Sequence, residues 1–150
     1  MTITLAVTPS GLEVRFTGVD RVAACRRGLS VPFERVVGSR VMPRADAVAS
    51  SPRLPCWGSW WPGRLRAGSW GIGERRQLWG VRRGAEVVVV YLSRRPFHRL
   101  VVEVEDCRRT HRCIDAALLD SKKTATRWSL RAVVHEQHDA GADVPSRRQP

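Results

Sequence analysis

The stretch FHRLVVEVEDCRRTHRCIDAALLD, residues 97–120, decides the fold because its hydrophobic period changes from that of a strand to that of a helix. Up to Glu105 apolar and polar side chains alternate, so we expect one strand with two different faces. The inward face is expected to hold Leu100, Val102 and Val104, and the outward face Val101, Glu103 and Glu105. After Asp106, a favourable N-cap residue, helical spacing predicts an amphipathic helix that ends near Asp120.

Short strands are expected through most of the chain before this stretch. The segments with strand patterns are residues 2–7, 12–16, 29–33, 36–42, 63–70, 77–81 and 86–92. Turn residues at 9–11 predict a hairpin between the first two, and Pro32 places the third at a sheet edge or strand end. The apolar run Glu86–Leu92 predicts a central strand. We expect one or two helical turns at residues 20–27 and a loop at residues 43–55.

About seven or eight short strands followed by one helix predict a mainly β protein. A strongly bent antiparallel sheet hides its edges by partial closure, so the expected fold is a small barrel capped by the C-terminal helix. Residues 1–120 are assigned to the barrel and its helix. Residues 121–150 are assigned to a basic and largely flexible tail, with a weak amphipathic helix near residues 130–134.

The composition is that of a single globular domain. The chain has 150 residues, of which 43% are hydrophobic. There is no run of about 18 apolar residues, and residues 1–10 lack the pattern of a secretory signal. We therefore expect a cytoplasmic protein with reduced cysteines, and a peripheral position at the membrane is the alternative.

The chain is strongly basic, with a net charge of +12 at pH 7 and a pI near 11.3. Such a charge favours an acidic partner, a nucleic acid or an anionic membrane. The excess is almost entirely arginine, which the codon bias of a GC-rich genome also produces. The arginines occur as scattered pairs rather than in blocks, so both explanations stay open.

Residues 56–70, CWGSWWPGRLRAGSW, contain four of the six tryptophans of the chain. Trp70 lies in an expected strand and is expected to fill or cover the barrel. Trp57, Trp60 and Trp61 fall in the expected loop, where large rings either fold back as a lid or face a partner. Flanking arginines would let exposed rings stack on bases or lie at a membrane surface.

Several short motifs accompany this order of elements. They are LSVPF at 29–33, LP at 54–55, PG at 62–63, GSW at 68–70, LWGV at 78–81, VVVVYL at 87–92 and LVVEVED at 100–106. With these motifs, residues from about 12 to 118 resemble small bacterial proteins with a pleckstrin-homology-like (PH-like) domain, of the actinobacterial type. The resemblance implies a bent antiparallel barrel with a C-terminal helix and binding of phosphoinositides, peptides or proteins. It implies no catalytic residue, and this chain departs from it in the tryptophan cluster and in Cys107, where a proline is expected.

The sequence shows no catalytic or metal-binding motif. Cys107 and His111 share one face of the expected helix, but Cys113 points elsewhere and a second ligand pair is missing, so no metal site is expected. The four histidines stand outside any known nucleophile motif. Glu103 and Glu105 are expected to form surface ion pairs with arginines rather than an acid–base pair. We therefore expect neither an enzyme nor a cofactor.

Two classes of function stay open. The first is a non-catalytic PH-like binding module that docks a protein or peptide and favours acidic partners. The second is an arginine- and tryptophan-rich surface that binds an anionic membrane or nucleic acid, with steep salt dependence. The residues expected to contact the partner are Trp57, Trp60, Trp61, Arg64, Arg66, Arg75, Arg76, Arg82 and Arg83. Arginines clustered beside exposed tryptophans would favour the second class, and an even distribution would count against it.

Overall fold

The structure, a computed structural model, describes residues 3–17, 27–52, 55–62 and 64–139. Within these residues the strands are β1 (Ile3–Thr8), β2 (Gly11–Phe16), β3 (Gly28–Pro32), β4 (Val36–Pro43), β5 (Pro55–Trp61), β6 (Leu65–Trp70), β7 (Gln77–Val81), β8 (Glu86–Leu92) and β9 (Arg99–Val102). The helices are α1 (Arg44–Ala49) and α2 (Cys107–Asp139). The helical turns expected at residues 20–27 fall almost wholly outside the described residues and stay a prediction.

The strands form two sheets. One has the order β1–β2–β3, and the other has the order β4–β8–β9–β7–β6–β5. All paired strands are antiparallel except β7 and β9, which run parallel because β9 is inserted between β7 and β8. The prediction of a mainly β protein with a C-terminal helix is confirmed. The described residues form no closed barrel, so the PH-like barrel stays a prediction.

The larger core combines side chains from both sheets and from the first turns of α2. The expected hairpin is confirmed, since β1 and β2 pair along their whole length. Leu12, Val14 and Phe16 alternate along β2 and are each at most 2% exposed. Ile114 and Leu118 of α2 are buried in the same core. The strand and helix periods in the sequence therefore mark the core faces of these elements.

The central strands β7, β8 and β9 of the six-stranded sheet are buried on both faces. Leu100 and Val102 of β9 belong to the larger core, as expected. Val101 on the opposite face lies in a second core with Trp79 and with Ala47 of α1. The expected outward exposure of Val101 is wrong, because α1 and the tryptophans cover a face that the sequence pattern assigns to solvent.

Two expectations for residues 43–61 are also wrong. The expected loop at 43–55 contains α1, which buries Ala47 against the second core. Trp57, Trp60 and Trp61 lie in β5 rather than in a loop, because β5 pairs with β6 from Pro55 to Trp61.

Helix α2 begins where the sequence predicts. The backbone N–H of Arg109 donates to Oδ1 of Asp106 at 2.8 Å, which confirms Asp106 as the N-cap. The expected end near Asp120 is wrong, because residues 121–139 contain no glycine or proline to stop the helix.

The chain divides into two compact units, Met1–Leu118 and Leu119–Pro150. The first holds both sheets, and the flexibility expected for residues 121–150 stays a prediction. Among the described residues no helix combines the length and the apolar character needed to cross a bilayer.

The two cysteines with described side chains differ sharply in access. Cys107 is buried, which raises the pKa of its thiol, whereas Cys113 on the same helix is exposed. Because thiolates are the reactive species, we expect iodoacetamide at pH 8 to alkylate Cys113 at least about tenfold faster than Cys107. Peptide mass spectrometry of quenched samples measures both rates. In urea the two rates should be similar, because unfolding exposes both thiols. Similar rates in the folded protein would contradict the packing of Cys107.

Candidate functional site

Strand β5 lies at one edge of the six-stranded sheet and carries three exposed tryptophans. The side chains of Trp57, Trp60 and Trp61 are 72%, 65% and 64% exposed. The sequence left open whether these rings form a lid or face outward, and the structure shows them facing outward. Clustered exposed apolar side chains mark interaction surfaces. We call β5 with its three rings the tryptophan edge.

The three rings lie on both faces of β5. In the register with β6, Trp60 stands opposite Arg66, whereas Trp57 and Trp61 stand opposite Ser69 and Leu65. Successive side chains of a strand point to opposite faces, so Trp60 lies on one face and the other two on the other. Within the described residues β5 pairs with β6 alone, so its outer backbone groups are placed to pair with an added strand.

A pair of glycines holds β5 against β6. A Cβ added to Gly68 would lie 2.3 Å from the carbonyl oxygen of Trp57 and 2.5 Å from Cα of Gly58. The φ angle of Gly68 is 108°, which disfavours any residue with a side chain. The close approach of the two backbones therefore positions β5 against β6, and this pairing does not depend on the tryptophan rings.

An open cavity of about 550 Å³ adjoins the tryptophan edge. Its lining residues are Arg64, Leu65, Arg82, Arg83 and Glu103. Leu65 begins β6 and pairs with Trp61, so the cavity lies near the end of β5 that carries Trp61. The lining holds three arginines and one glutamate, which gives this basic cavity a net positive charge.

Glu103 has a structural role at the basic cavity. The residue is 8% exposed, and its Oε2 accepts a hydrogen bond from the backbone N–H of Arg82 at 2.7 Å. A Cβ on Gly84 would lie 2.7 Å from Cδ of Glu103, so the turn after β7 closes over the carboxylate. The expected outward orientation of Glu103 is wrong, because it holds the turn that presents Arg82 and Arg83.

The structure separates the other three arginines of the predicted set from this cavity. Arg66 is 8% exposed, and its guanidinium lies over the rings of Trp70 and Trp79 at 4.0 Å and 4.3 Å. It is buried rather than exposed as expected, because its face of β6 is covered by the second core. Arg75 and Arg76 precede β7, at the end of that strand opposite the basic cavity.

A serine, a histidine and an aspartate meet between β4 and α2, which the sequence analysis missed. Oγ of Ser39 lies 2.7 Å from Nδ1 of His111 and donates to Oδ1 of Asp115 at 3.0 Å. Nε2 of His111 lies 3.5 Å from Oδ2 of Asp115. Because the hydroxyl proton is donated to Asp115, His111 Nδ1–H donates to Oγ and does not act as a base toward it. The cluster joins α2 to β4.

The described residues contain no group of three or more His, Cys, Asp or Glu side chains placed to hold a metal ion. Comparisons of the chain with protein-family profiles, curated proteins and solved structures found no match.

Proposed function

We propose that this protein is a non-catalytic binding module that docks an acidic, extended segment of a partner protein along the tryptophan edge. The observation that carries the proposal is an outer strand with exposed aromatic rings on both faces. A strand added beside β5 would form backbone hydrogen bonds, and its alternating side chains would contact rings on either face.

Charge decides the kind of partner. Arg64 and Arg83 are exposed and line the basic cavity, and the whole chain carries a net charge of +12. Two copies pairing through β5 would bring these positive charges together, whereas an acidic segment would reduce the repulsion. A carboxylate of that segment fits the basic cavity, where guanidinium groups form strong charge-assisted hydrogen bonds.

An anionic membrane fits the geometry less well. Rings on both faces of one strand enter a bilayer only if the strand edge enters with them. The unpaired N–H and C=O groups of that edge would then lose water without gaining partners, at a cost of several kcal/mol each. The arginines are also divided between both ends of β7.

The PH-like barrel belongs to this proposal. The two sheets and the C-terminal helix support it only as a mainly β fold. The motifs at residues 29–33 and 100–106 support the resemblance in sequence. In such a module the peptide would bind at a sheet edge, so the barrel and the docking strand are compatible.

A peptide selection on the immobilised full chain tests the docking proposal. From a displayed library of random 12-residue peptides, we expect acidic peptides with alternating apolar residues to be enriched. In fluorescence anisotropy, the triple variant Trp57→Ala, Trp60→Ala, Trp61→Ala should bind them at least about tenfold more weakly, since aromatic residues dominate interface energies. Replacing the exposed Val37, which lies in β4 at the opposite edge of the same sheet, with alanine should leave affinity unchanged.

Charge variants complete this experiment. Arg83→Glu should weaken the selected peptides several-fold, and Arg75→Glu, with the same change of charge at the other end of β7, should have a smaller effect. Unchanged affinity of the triple tryptophan variant would overturn docking at the edge. Salt-sensitive co-sedimentation with phosphatidylglycerol vesicles, together with no enriched peptide, would favour the anionic-surface alternative.

A further inference from the structure

Two buried arginines donate hydrogen bonds to the segment that follows α1. Arg66 of β6 is 8% exposed and Arg99 of β9 is 5% exposed. Nη1 of Arg66 donates to Oγ of Ser51 at 2.6 Å, and Nη1 of Arg99 donates to Oγ of Ser50 at 2.9 Å. The two guanidinium groups therefore converge on consecutive residues. We call Arg66, Arg99, Ser50 and Ser51 the arginine–serine cluster.

The hydrogen-bond acceptors of the cluster are uncharged and fewer than its donors. Nη2 of Arg66 donates to the carbonyl oxygen of Pro52 at 2.7 Å, and Nη2 of Arg99 donates to Sδ of Met42 at 3.4 Å. Nε of Arg66, Nε of Arg99 and Nε1 of Trp70 are buried and have no hydrogen-bond partner. None of the ion pairs among the described residues involves either arginine. Arginines are almost never this deeply buried unless they are paired with an anion.

Neighbouring groups offset only part of the two positive charges. The Trp70 and Trp79 rings lie against Arg66, and their cation–π contacts stabilise its charge without neutralising it. The carbonyl end of α1 supplies at most about half a negative charge. Burial lowers the pKa of Arg66 to about 10 and also lowers the pKa of Arg99, as expected for charges without a full counterion.

Ser50 is the point at which this buried charge meets solvent. The residue is exposed, although its hydroxyl touches the buried Arg99. Phosphate oxygens placed at Ser50 would reach the guanidinium of Arg99 directly and that of Arg66 across one residue. A phosphate group supplies about two negative charges and three acceptor oxygens, that is, the counter-charge and the additional acceptors that the described residues do not give to the two arginines.

We propose that the arginine–serine cluster is a site for a phosphate group held by Arg99 and Arg66 against Ser50. The phosphate has two sources: a free phosphate ion, or a phosphoryl group transferred to Ser50. In the transfer, Oγ of Ser50 forms a bond to the γ-phosphorus of a nucleoside triphosphate bound to a protein kinase. The bond to the β-phosphate oxygen breaks, the nucleoside diphosphate leaves, and the hydroxyl proton passes to the kinase base.

Two arms of one thermal-denaturation experiment test the site and separate the sources. In the first, sodium phosphate at up to a few millimolar is added to the full chain at constant ionic strength. In the second, phosphoserine is incorporated at position 50 by genetic code expansion, with phosphoserine at the exposed Ser10 as the control. Occupation of the site should raise the Tm by roughly 5 °C.

The variants Arg99→Gln and Arg75→Gln distinguish the site from general salt effects. Both remove one positive charge, but Arg75 is exposed and outside the cluster. The site is supported if the rise in Tm is lost in Arg99→Gln and kept in Arg75→Gln. Such a result in the first arm identifies a free phosphate ion as the occupant, and in the second arm it identifies phosphoserine at position 50. If neither arm raises the Tm, or if the rise survives in Arg99→Gln, the proposal is overturned. These outcomes do not depend on peptide docking.

Discussion

Replacing Trp79 with alanine is expected to lower the free energy of unfolding by about 3–5 kcal/mol, the range for a fully buried aromatic residue. Trp79 is completely buried between Arg66 and the second core, and its Nε1 donates to Oε1 of Gln77 at 3.0 Å. The variant would lose the apolar contacts and the cation–π contact, and Oε1 of Gln77 would lose its hydrogen-bond donor. Urea denaturation followed by circular dichroism measures the change.

The matched control is Trp60→Ala. This side chain is 65% exposed on β5, so its removal should change the free energy of unfolding by no more than about 0.5 kcal/mol. The same chemical change thus separates a tryptophan that stabilises the fold from one available to a partner. A loss of more than about 2 kcal/mol in Trp60→Ala would mean that the ring packs on the domain, contrary to the proposed docking surface.

Replacing Gly68 with alanine is expected to destabilise the protein by at least about 2–3 kcal/mol and to weaken the pairing of β5 with β6. The new Cβ would meet the backbone of Trp57 and Gly58, and a φ angle of 108° is itself unfavourable for alanine. Because backbone cannot move aside as a side chain does, the strands must separate. Thermal denaturation and amide hydrogen exchange of residues 57–61 report the two effects.

Gly38→Ala provides the comparison within the same sheet. No heavy atom lies within 4 Å of a Cβ built on Gly38, and its φ is not in the left-handed region. Alanine there should be neutral or stabilise the fold by up to about 1 kcal/mol, since it restricts the unfolded chain. Equal destabilisation by both substitutions would show that the close approach at Gly68 is not the cause.

The sequence predicts best those elements whose side chains follow one simple period. The strands at 77–81 and 86–92 have the bounds expected from the sequence, because flanking turn residues and strand-length apolar runs define them. Asp106 marks the start of α2 for a similar local reason.

The site is harder to predict because its environment is created by distant residues. Trp57, Trp60 and Trp61 do not alternate with polar residues, so only the pairing with β6 identifies their segment as a strand. Arg66 alternates with Leu65 and Ala67 as a solvent-facing residue would. It is buried because α1 and Trp79 cover its face, and no local pattern predicts that cover.

The position of β9 between β7 and β8 has a consequence for synthesis on the ribosome. Without Arg99–Val102, the pair β4–β8 and the group β5–β6–β7 share no neighbouring strands. The six-stranded sheet therefore cannot assemble until the nascent chain has been extended past Val102 and that strand has left the exit tunnel. Until then each part exposes an unpaired, Val- or Leu-containing edge, so a pause in translation before this point would leave the chain most open to aggregation.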